Sequence, residues 1–282
     1  MSLRKRIPFV LLVVLALGLS VSTARAEDTP DAGAAHYTQG AALLKQGQID
    51  EAAKSFLAAA RAAPKNQVYV QQALVLRRVQ GLRRFITKNE LSKRWETSAR
   101  SLHLFYVQSG LGALAVELDT LAHQRMQSAT SAAWLAEAYL ETGQNAQATT
   151  LLASYSNQSP RLAAYHALAL ARLGKPDDAR RIAAGAVVAD DAEPDYLYDV
   201  ARLRAALGEN PQALALLRTS FERTSAEVLP FVKGRARVSP DLASLAALPA
   251  LAEVLQTESK VKQTCSGGSS CSGCPMRGKC GH

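Results

Sequence analysis

Apolar residues recur three and four positions apart along most of the chain, the spacing that places them on one face of an α-helix. Between Tyr37 and Gly47, for example, Leu43 and Leu44 share a face with Tyr37. We expect Gly47 to end this helix, and Asp50 then stands where an acidic residue favours the start of the next one. The pattern predicts an all-α fold that is built from helix–turn–helix units.

This unit recurs at a nearly constant period, which is typical of repeat architectures. Turn glycines are expected at Gly47, Gly110, Gly143, Gly174 and Gly208, and the last four are 33, 31 and 34 residues apart. A small residue follows each glycine five positions later, at Ala52, Ala115, Ala148, Ala179 and Ala213. Proline closes several units, at Pro64, Pro160 and Pro194. Since one helix pair cannot bury its apolar face alone, we expect the pairs to stack.

These residues resemble tetratricopeptide repeats (TPR). The match is best in Ala34–Lys65, where the characteristic positions hold Tyr37, Gly40, Gly47, Ala52, Phe56, Ala59 and Pro64. Later units match less closely, at 99–126, 132–160, 163–194 and 197–223. The resemblance implies a TPR-like solenoid of helical hairpins.

The departures from the repeat pattern define the remaining segments. The predicted layout is a signal peptide at 1–26, a first TPR-like repeat at 33–66, an extra basic helical segment at 67–95, further TPR-like repeats at 96–223, a terminal capping segment at 224–256 and a flexible cysteine-rich tail at 257–282. A cap is expected because the last unit of a solenoid must cover its apolar face.

The first 26 residues are typical of a bacterial secretory signal peptide. A basic start at Arg4, Lys5 and Arg6 precedes an apolar run from Pro8 to Leu19, and the small residues Ala24 and Ala26 precede the expected cleavage site after Ala26. The alternative is a membrane anchor, but the run is shorter than the roughly 20 residues that span a bilayer. We therefore expect export to the periplasm or the extracellular space, with no membrane span after cleavage.

The basic charge of the chain is unevenly distributed. The formal charge is +9, and it falls to +5 when the four basic residues of the signal peptide are removed. Between Gln67 and Arg100, eight basic residues oppose only Glu90 and Glu96. This segment is either a surface for an acidic partner or an ordinary solvated helix face. Nucleic acid is not an expected partner, because an exported protein rarely meets it.

The TPR resemblance also implies a binding surface. The first helix of each pair lines the concave face of a TPR array, where a peptide or another protein binds. The corresponding positions here are Tyr37, Lys45, Arg100, Glu137, Glu141, Arg161, Arg172, Tyr198 and Arg202. Arginine and tyrosine suit such a groove, since one donates forked hydrogen bonds and the other adds a stiff apolar ring. The alternative is that these are ordinary surface residues.

The common catalytic motifs are absent from the sequence. It has no glycine-rich phosphate loop, no Gly-x-Ser-x-Gly elbow and no His-Glu-x-x-His helix. His36, His103 and His166 fall at helix positions that are expected to pack inside repeats. The sequence therefore favours a binding protein over an enzyme.

All four cysteines lie in the last 18 residues, with the spacing C-x5-C-x2-C-x5-C. The candidate metal ligands are Cys265, Cys271, Cys274, Cys280 and His282. Four thiolates can enclose zinc or copper(I). The run from Cys271 to Cys280 is also similar to the ligand run of iron–sulfur scaffold ATPases, although export argues against a cluster. Two disulfides, or thiols with no function, are the alternatives.

Together these features predict an exported TPR-type protein–protein interaction module with a thiol-rich tail that binds a soft metal ion. Two other functions stay open. One is a thiol–disulfide redox factor that uses the tail cysteines, and the other is a purely structural scaffold in the cell envelope.

Overall fold

The computed structural model describes residues 31–261, and the predicted signal peptide and the four cysteines lie outside this range. Within it, regular structure is helical throughout, with fourteen α-helices, one short 3-10 helix at Pro240–Leu242 and no β-strand. The helices are α1 (Ala34–Lys45), α2 (Ile49–Ala62), α3 (Gln67–Lys88), α4 (Lys93–Gln108), α5 (Gly112–Met126), α6 (Ala129–Glu141), α7 (Asn145–Leu152), α8 (Pro160–Arg172), α9 (Pro176–Ala183), α10 (Pro194–Ala206), α11 (Asn210–Arg223), α12 (Leu229–Val238), α13 (Ala243–Ala246) and α14 (Pro249–Gln256). The predicted all-α fold is confirmed for these residues.

The chain divides into two compact units, with the boundary between Val187 and Val188. This boundary falls inside the segment 96–223, for which the repeat pattern predicted a continuous array. The first unit contains α1 to α9, and the second contains α10 to α14.

A glycine in the left-handed conformation ends the first helix of each hairpin. The five predicted turn glycines all have φ between 70° and 79°, at Gly47, Gly110, Gly143, Gly174 and Gly208. At each turn the residue after the glycine donates its N–H to the carbonyl five positions back, as Gln144 does to Tyr139 at 2.8 Å. This is the Schellman arrangement, and it requires a residue that tolerates positive φ. The predicted turn positions are confirmed.

The alanines five positions after these glycines are fully buried. Ala52, Ala115, Ala148, Ala179 and Ala213 all have 0% exposure. Each lies near the start of the second helix of a hairpin, next to the turn. A larger side chain would have to displace its neighbours there.

In the first unit, α3 is a 22-residue helix that stands outside the hairpin series. It packs against α2 on one side and α4 on the other. The Asn66 side chain caps its start by accepting from the Val68 N–H at 3.1 Å, and the Trp95 indole N–H donates to the Ile86 carbonyl at 3.1 Å. The indole therefore fixes the end of α3 to the start of α4.

Apolar side chains from successive helices of the first unit form a common core. Phe56, Leu76, Trp95, Leu102 and Leu118 belong to one buried cluster that reaches from α1 to α6. This is the stacking that is expected of helix pairs, and it makes each hairpin depend on its neighbours for stability.

In the second unit, short helices pack on the hairpin α10–α11. The 3-10 helix contacts α10, and α14 contacts α11. Phe221, Leu245 and Val254 share one buried cluster, so the segment 224–256 contributes apolar side chains that cover this hairpin. After α14, the Lys260 ammonium lies 2.8 Å from a Glu222 carboxylate oxygen, which ties the end of the described chain to α11.

None of the helices between residues 31 and 261 combines the length and the apolar character that crossing a bilayer requires.

Candidate functional site

The first unit has a cleft that is bordered by α4, α6 and α8, which are the first helices of three successive hairpins. Its volume is about 280 Å³. The residues that line it are Arg100, Ala129, Thr130, Ala133, Trp134, Glu137, Ser159, Arg161 and Tyr165. Two arginines, one glutamate and two aromatic side chains therefore converge on a space that accommodates one or two side chains of a ligand.

Arg100 has an unsatisfied donor in this cleft. Its guanidinium carbon lies 5.5 Å from the centre of the Trp134 ring, within the range of a cation–π contact. Its Nη1 is buried and has no hydrogen-bond partner among the residues that the structure describes. A buried charged donor without an acceptor costs free energy, so an acceptor that entered the cleft would be bound favourably.

Arg161 and Tyr165 stand one turn apart on α8, so both reach the same side of the cleft. The helix begins at Pro160, and the Ser159 hydroxyl caps it by accepting from the Leu162 N–H at 3.3 Å. This cap fixes the first turn of α8, on which the Arg161 side chain is carried. Tyr165 is only 1% exposed and contributes to the floor of the cleft.

Beneath the cleft, Glu137 is joined to a buried histidine. His103 Nε2 lies 3.2 Å from Glu137 Oε2, and His103 Nδ1 lies 2.6 Å from Asp119 Oδ2. Carboxylates accept hydrogen bonds, so both ring nitrogens of His103 carry protons and the imidazole is positively charged. The triad links α4, α5 and α6, and it holds one oxygen of Glu137 at the base of the cleft.

The pKa of His103 reflects this environment. Burial favours the neutral ring, but the hydrogen bonds to Asp119 and Glu137 outweigh burial and raise the pKa to about 9. Burial also raises the pKa of Asp119, while the hydrogen bond from His103 acts in the opposite direction. The histidine is therefore a charged structural group at neutral pH rather than a free base.

The cleft brings together three of the nine predicted partner-binding residues, namely Arg100, Glu137 and Arg161. On α1, by contrast, Tyr37 stacks on Tyr69 with ring centres 4.8 Å apart, and Lys45 is exposed at the end of the helix. These two residues do not line the cleft.

The remaining predicted residues of the first unit lie at helix ends. Glu141 is exposed at the end of α6. Arg172 Nη1 donates to the Leu140 carbonyl at 2.5 Å and to the Asn145 side chain at 3.3 Å, so this arginine satisfies the end of α6. Its hydrogen bonds explain its position without a ligand.

The expected exposure is wrong for the last two predicted residues, Tyr198 and Arg202. They are 4% and 3% exposed within the second unit. Arg202 Nε donates to Asp241 Oδ2 at 2.8 Å, and the Tyr198 ring lies beside the guanidinium groups of Arg202 and Arg235. The segment after α11 supplies Asp241, whose carboxylate forms a buried ion pair with Arg202.

The predicted burial of the histidines holds for two of three. His103 is 0% exposed and His166 is 7% exposed, as expected for positions inside repeats. His36 is exposed in the first turn of α1, so the prediction is wrong there.

The five predicted metal ligands, Cys265, Cys271, Cys274, Cys280 and His282, lie outside the described residues. No group of three or more side chains between residues 31 and 261 is arranged to hold a metal ion.

Sequence reasoning missed Trp134, Tyr165 and the His103–Asp119 pair. Trp134 lies three residues before Glu137, and Tyr165 lies four after Arg161, so helical spacing alone relates both to predicted residues. Nothing local indicates the buried pair, because the two residues come from different helices.

A comparison with known protein families supports the first predicted repeat. A tetratricopeptide-repeat family profile matches residues 33–66, the span that was predicted as the first repeat. No curated protein matches the chain. Among solved structures, a thermophilic TPR protein of Thermus thermophilus is similar, with 19% identity and a TM-score of 0.38 over 76% of this chain and 99% of that one.

Proposed function

We propose that this chain is a protein–protein interaction module that binds an acidic segment of a partner in the cleft between α4, α6 and α8. The observation that carries the proposal is the buried Arg100 Nη1, which has no hydrogen-bond acceptor among the described residues, in a cleft that is also lined by a second arginine, Arg161. The TPR match at 33–66 supports the same class of function, since TPR repeats typically bind proteins.

A carboxylate is the ligand group that best suits this arrangement. The planar guanidinium donates two parallel hydrogen bonds to a carboxylate, which gives both charge and geometric complementarity. The Trp134 ring holds the Arg100 guanidinium from one side, so less side-chain freedom is lost when the ligand binds. The aliphatic parts of the two arginine side chains and the rings of Trp134 and Tyr165 add apolar contact area around the bound carboxylate.

The buried triad supports the cleft from below. Because His103 binds one oxygen of Glu137 from beneath, the position of that carboxylate is fixed relative to the cleft. A fixed carboxylate repels a second acidic group on its side of the cleft. We therefore expect the cleft to discriminate between the two ends of a short acidic motif.

The proposal can be tested with two fluorescein-labelled peptides that differ only in whether three positions hold glutamate or glutamine. In an anisotropy titration we expect the acidic peptide to bind more tightly. Arg100→Gln should weaken its binding by roughly ten- to a hundredfold, the usual loss for a hydrogen bond to a charged group. The matched control is Arg78→Gln, at an exposed arginine of α3 outside the cleft. Equal binding of both peptides, or equal losses in both variants, would refute it.

We also propose that the protein is exported and that its tail holds a soft metal ion, on the evidence of the signal-like first 26 residues and the four clustered cysteines. Metal content and free thiols should be counted on freshly isolated protein. Stoichiometric zinc or copper that is lost in the variant Cys271→Ser/Cys274→Ser would support metal binding. A reversible disulfide without metal would instead favour the redox alternative, and reactive thiols without metal would favour the scaffold.

A further inference from the structure

We propose a second docking surface, the groove between α2 and α3, whose partner is an acidic amphipathic helix of another protein. The groove has a volume of about 480 Å³. Four basic side chains line it, namely Lys54, Arg61, Arg77 and Arg84, together with apolar side chains that include Leu57 and Leu74. Among residues 31–261, no acidic residue lines the groove.

The two helices contribute matching stripes to this groove. On α2, Lys54, Leu57 and Arg61 follow one another at helical spacing, so a leucine stands between two cations on one face. On α3, Leu74 precedes Arg77 by three residues on the same face. The leucines are 44% and 52% exposed, so about half of each apolar side chain is open to solvent in the groove. The groove thus offers apolar walls with a cationic rim.

Between residues 31 and 261, none of the four basic side chains that line the groove takes part in an ion pair. Asp50, an acidic residue of α2, accepts a hydrogen bond from the Gln80 amide at 2.8 Å and pairs with Arg83 at 3.5 Å. This contact joins α2 to α3 and fixes their separation. Four like charges along one groove destabilise the folded chain, and a ligand that carries carboxylates would relieve that repulsion.

A helix fits this surface better than a lipid bilayer does. Apolar side chains that enter a bilayer must protrude from the surface, whereas Ala53, Ala60 and Ala73 form a recessed floor between the two helices here. An amphipathic helix presents apolar side chains at positions three and four apart, which would enter the groove, while its flanking glutamates would meet the cationic rim. Its apolar face supplies the contact area, and its acidic flanks set its orientation.

The proposal does not depend on the cleft at Arg100, since the two surfaces share no residue. Its probe is a model helix of about 18 residues, five turns, with leucine on one face and glutamate on the flanks. The reference is a scrambled peptide of the same composition, which keeps the charge but loses the apolar face. We expect the helix to bind at least about tenfold more tightly than the scrambled peptide in an anisotropy titration.

Variants of exposed residues locate the binding. Arg77→Glu/Arg84→Glu should weaken binding of the helix by more than about tenfold, and Leu74→Gln should also weaken it. Arg78→Glu, a neighbouring exposed arginine of α3 outside the groove, is the matched control and should change binding little. Arg100→Gln should also leave this binding unchanged, which separates the result from that of the cleft. Circular dichroism checks that each variant is folded.

Two results would overturn the proposal. One is equal binding of the helical and scrambled peptides, or equal losses in Arg78→Glu and the double variant, because the groove would then act only as diffuse charge. The other is tight binding to vesicles of anionic phospholipid, abolished by Arg77→Glu/Arg84→Glu, without binding of the helical peptide. That outcome would assign the groove to a membrane surface instead.

Discussion

His103 and Asp119 lie 2.6 Å apart, Nδ1 to Oδ2, and both side chains are wholly buried. Because Glu137 contacts the other ring nitrogen, a single imidazolium joins three helices beneath the cleft. The buried imidazolium of His103 depends on hydrogen bonds to its two counter-charges, which exist only in the folded protein. The protonation of His103 is therefore coupled to folding.

Stability should fall as the solution becomes alkaline. The pKa of His103 rises from 6.5 to about 9 on folding, so its contribution is fully present below pH 6.5 and is lost as the pH passes through 9. A shift of this size corresponds to about 3 kcal/mol. Urea unfolding between pH 6 and pH 9.5 measures the loss. His103→Gln should be less stable at pH 6 and should show a shallower decline, and parallel pH profiles would show that another group is responsible.

Replacing a turn glycine should destabilise the protein, whereas replacing Gly81, which lies inside a helix in open space, should not. Gly143 has φ 72°, and an alanine methyl group there would meet open space among the described residues, so Gly143→Ala suffers backbone strain alone, about 1–2 kcal/mol. Gly81 lies inside α3 with equally open space, and Gly81→Ala should stabilise the protein by about 0.5–1 kcal/mol. Thermal unfolding of the two variants compares them, and shifts of the same sign would contradict the assigned conformations.

Enlarging a buried alanine beside a turn should also be costly. Ala148 is 0% exposed in α7, and Ala148→Leu should destabilise the protein by about 1–3 kcal/mol because the core has no room for the larger side chain. Ala146 is not buried on the same helix, so Ala146→Leu makes the same chemical change nearer the surface and should have little effect. The midpoints of urea unfolding give both values. A cost that is shared by the two variants would point to helix propensity instead of packing.

Arg202, the buried arginine of the second unit, should stabilise the folded protein. Arg202→Leu leaves the Asp241 carboxylate buried without its main partner, which costs about 3–5 kcal/mol. The double variant Arg202→Leu/Asp241→Leu removes both charges and should recover part of that loss. Urea unfolding of the three proteins tests the pair. If the single variant were as stable as the parent, the ion pair would be without energetic importance.

The repeat pattern predicted the parts of the fold that depend on local geometry. Gly143 and Ala148 were predictable because a left-handed turn needs glycine and a close helix pair needs a small residue, and both recur at a fixed period. Arg100 and Glu137 followed from the resemblance to TPR arrays, which implies that these positions line the concave face. Arg202 was misjudged because its partner, Asp241, lies 39 residues further on, and no repeat specifies that contact.

The two tryptophans lie in different surroundings, and this gives the protein two internal fluorophores. Trp95 is fully buried where α4 packs on α3, with the Arg125 guanidinium 5.1 Å from its ring centre, so its emission should change when the helices separate. Trp134 borders the cleft and stacks on protonated His103 with ring centres 6.1 Å apart, a geometry that quenches indole emission. Variants that keep only one indole would therefore separate ligand binding from unfolding in a single optical experiment.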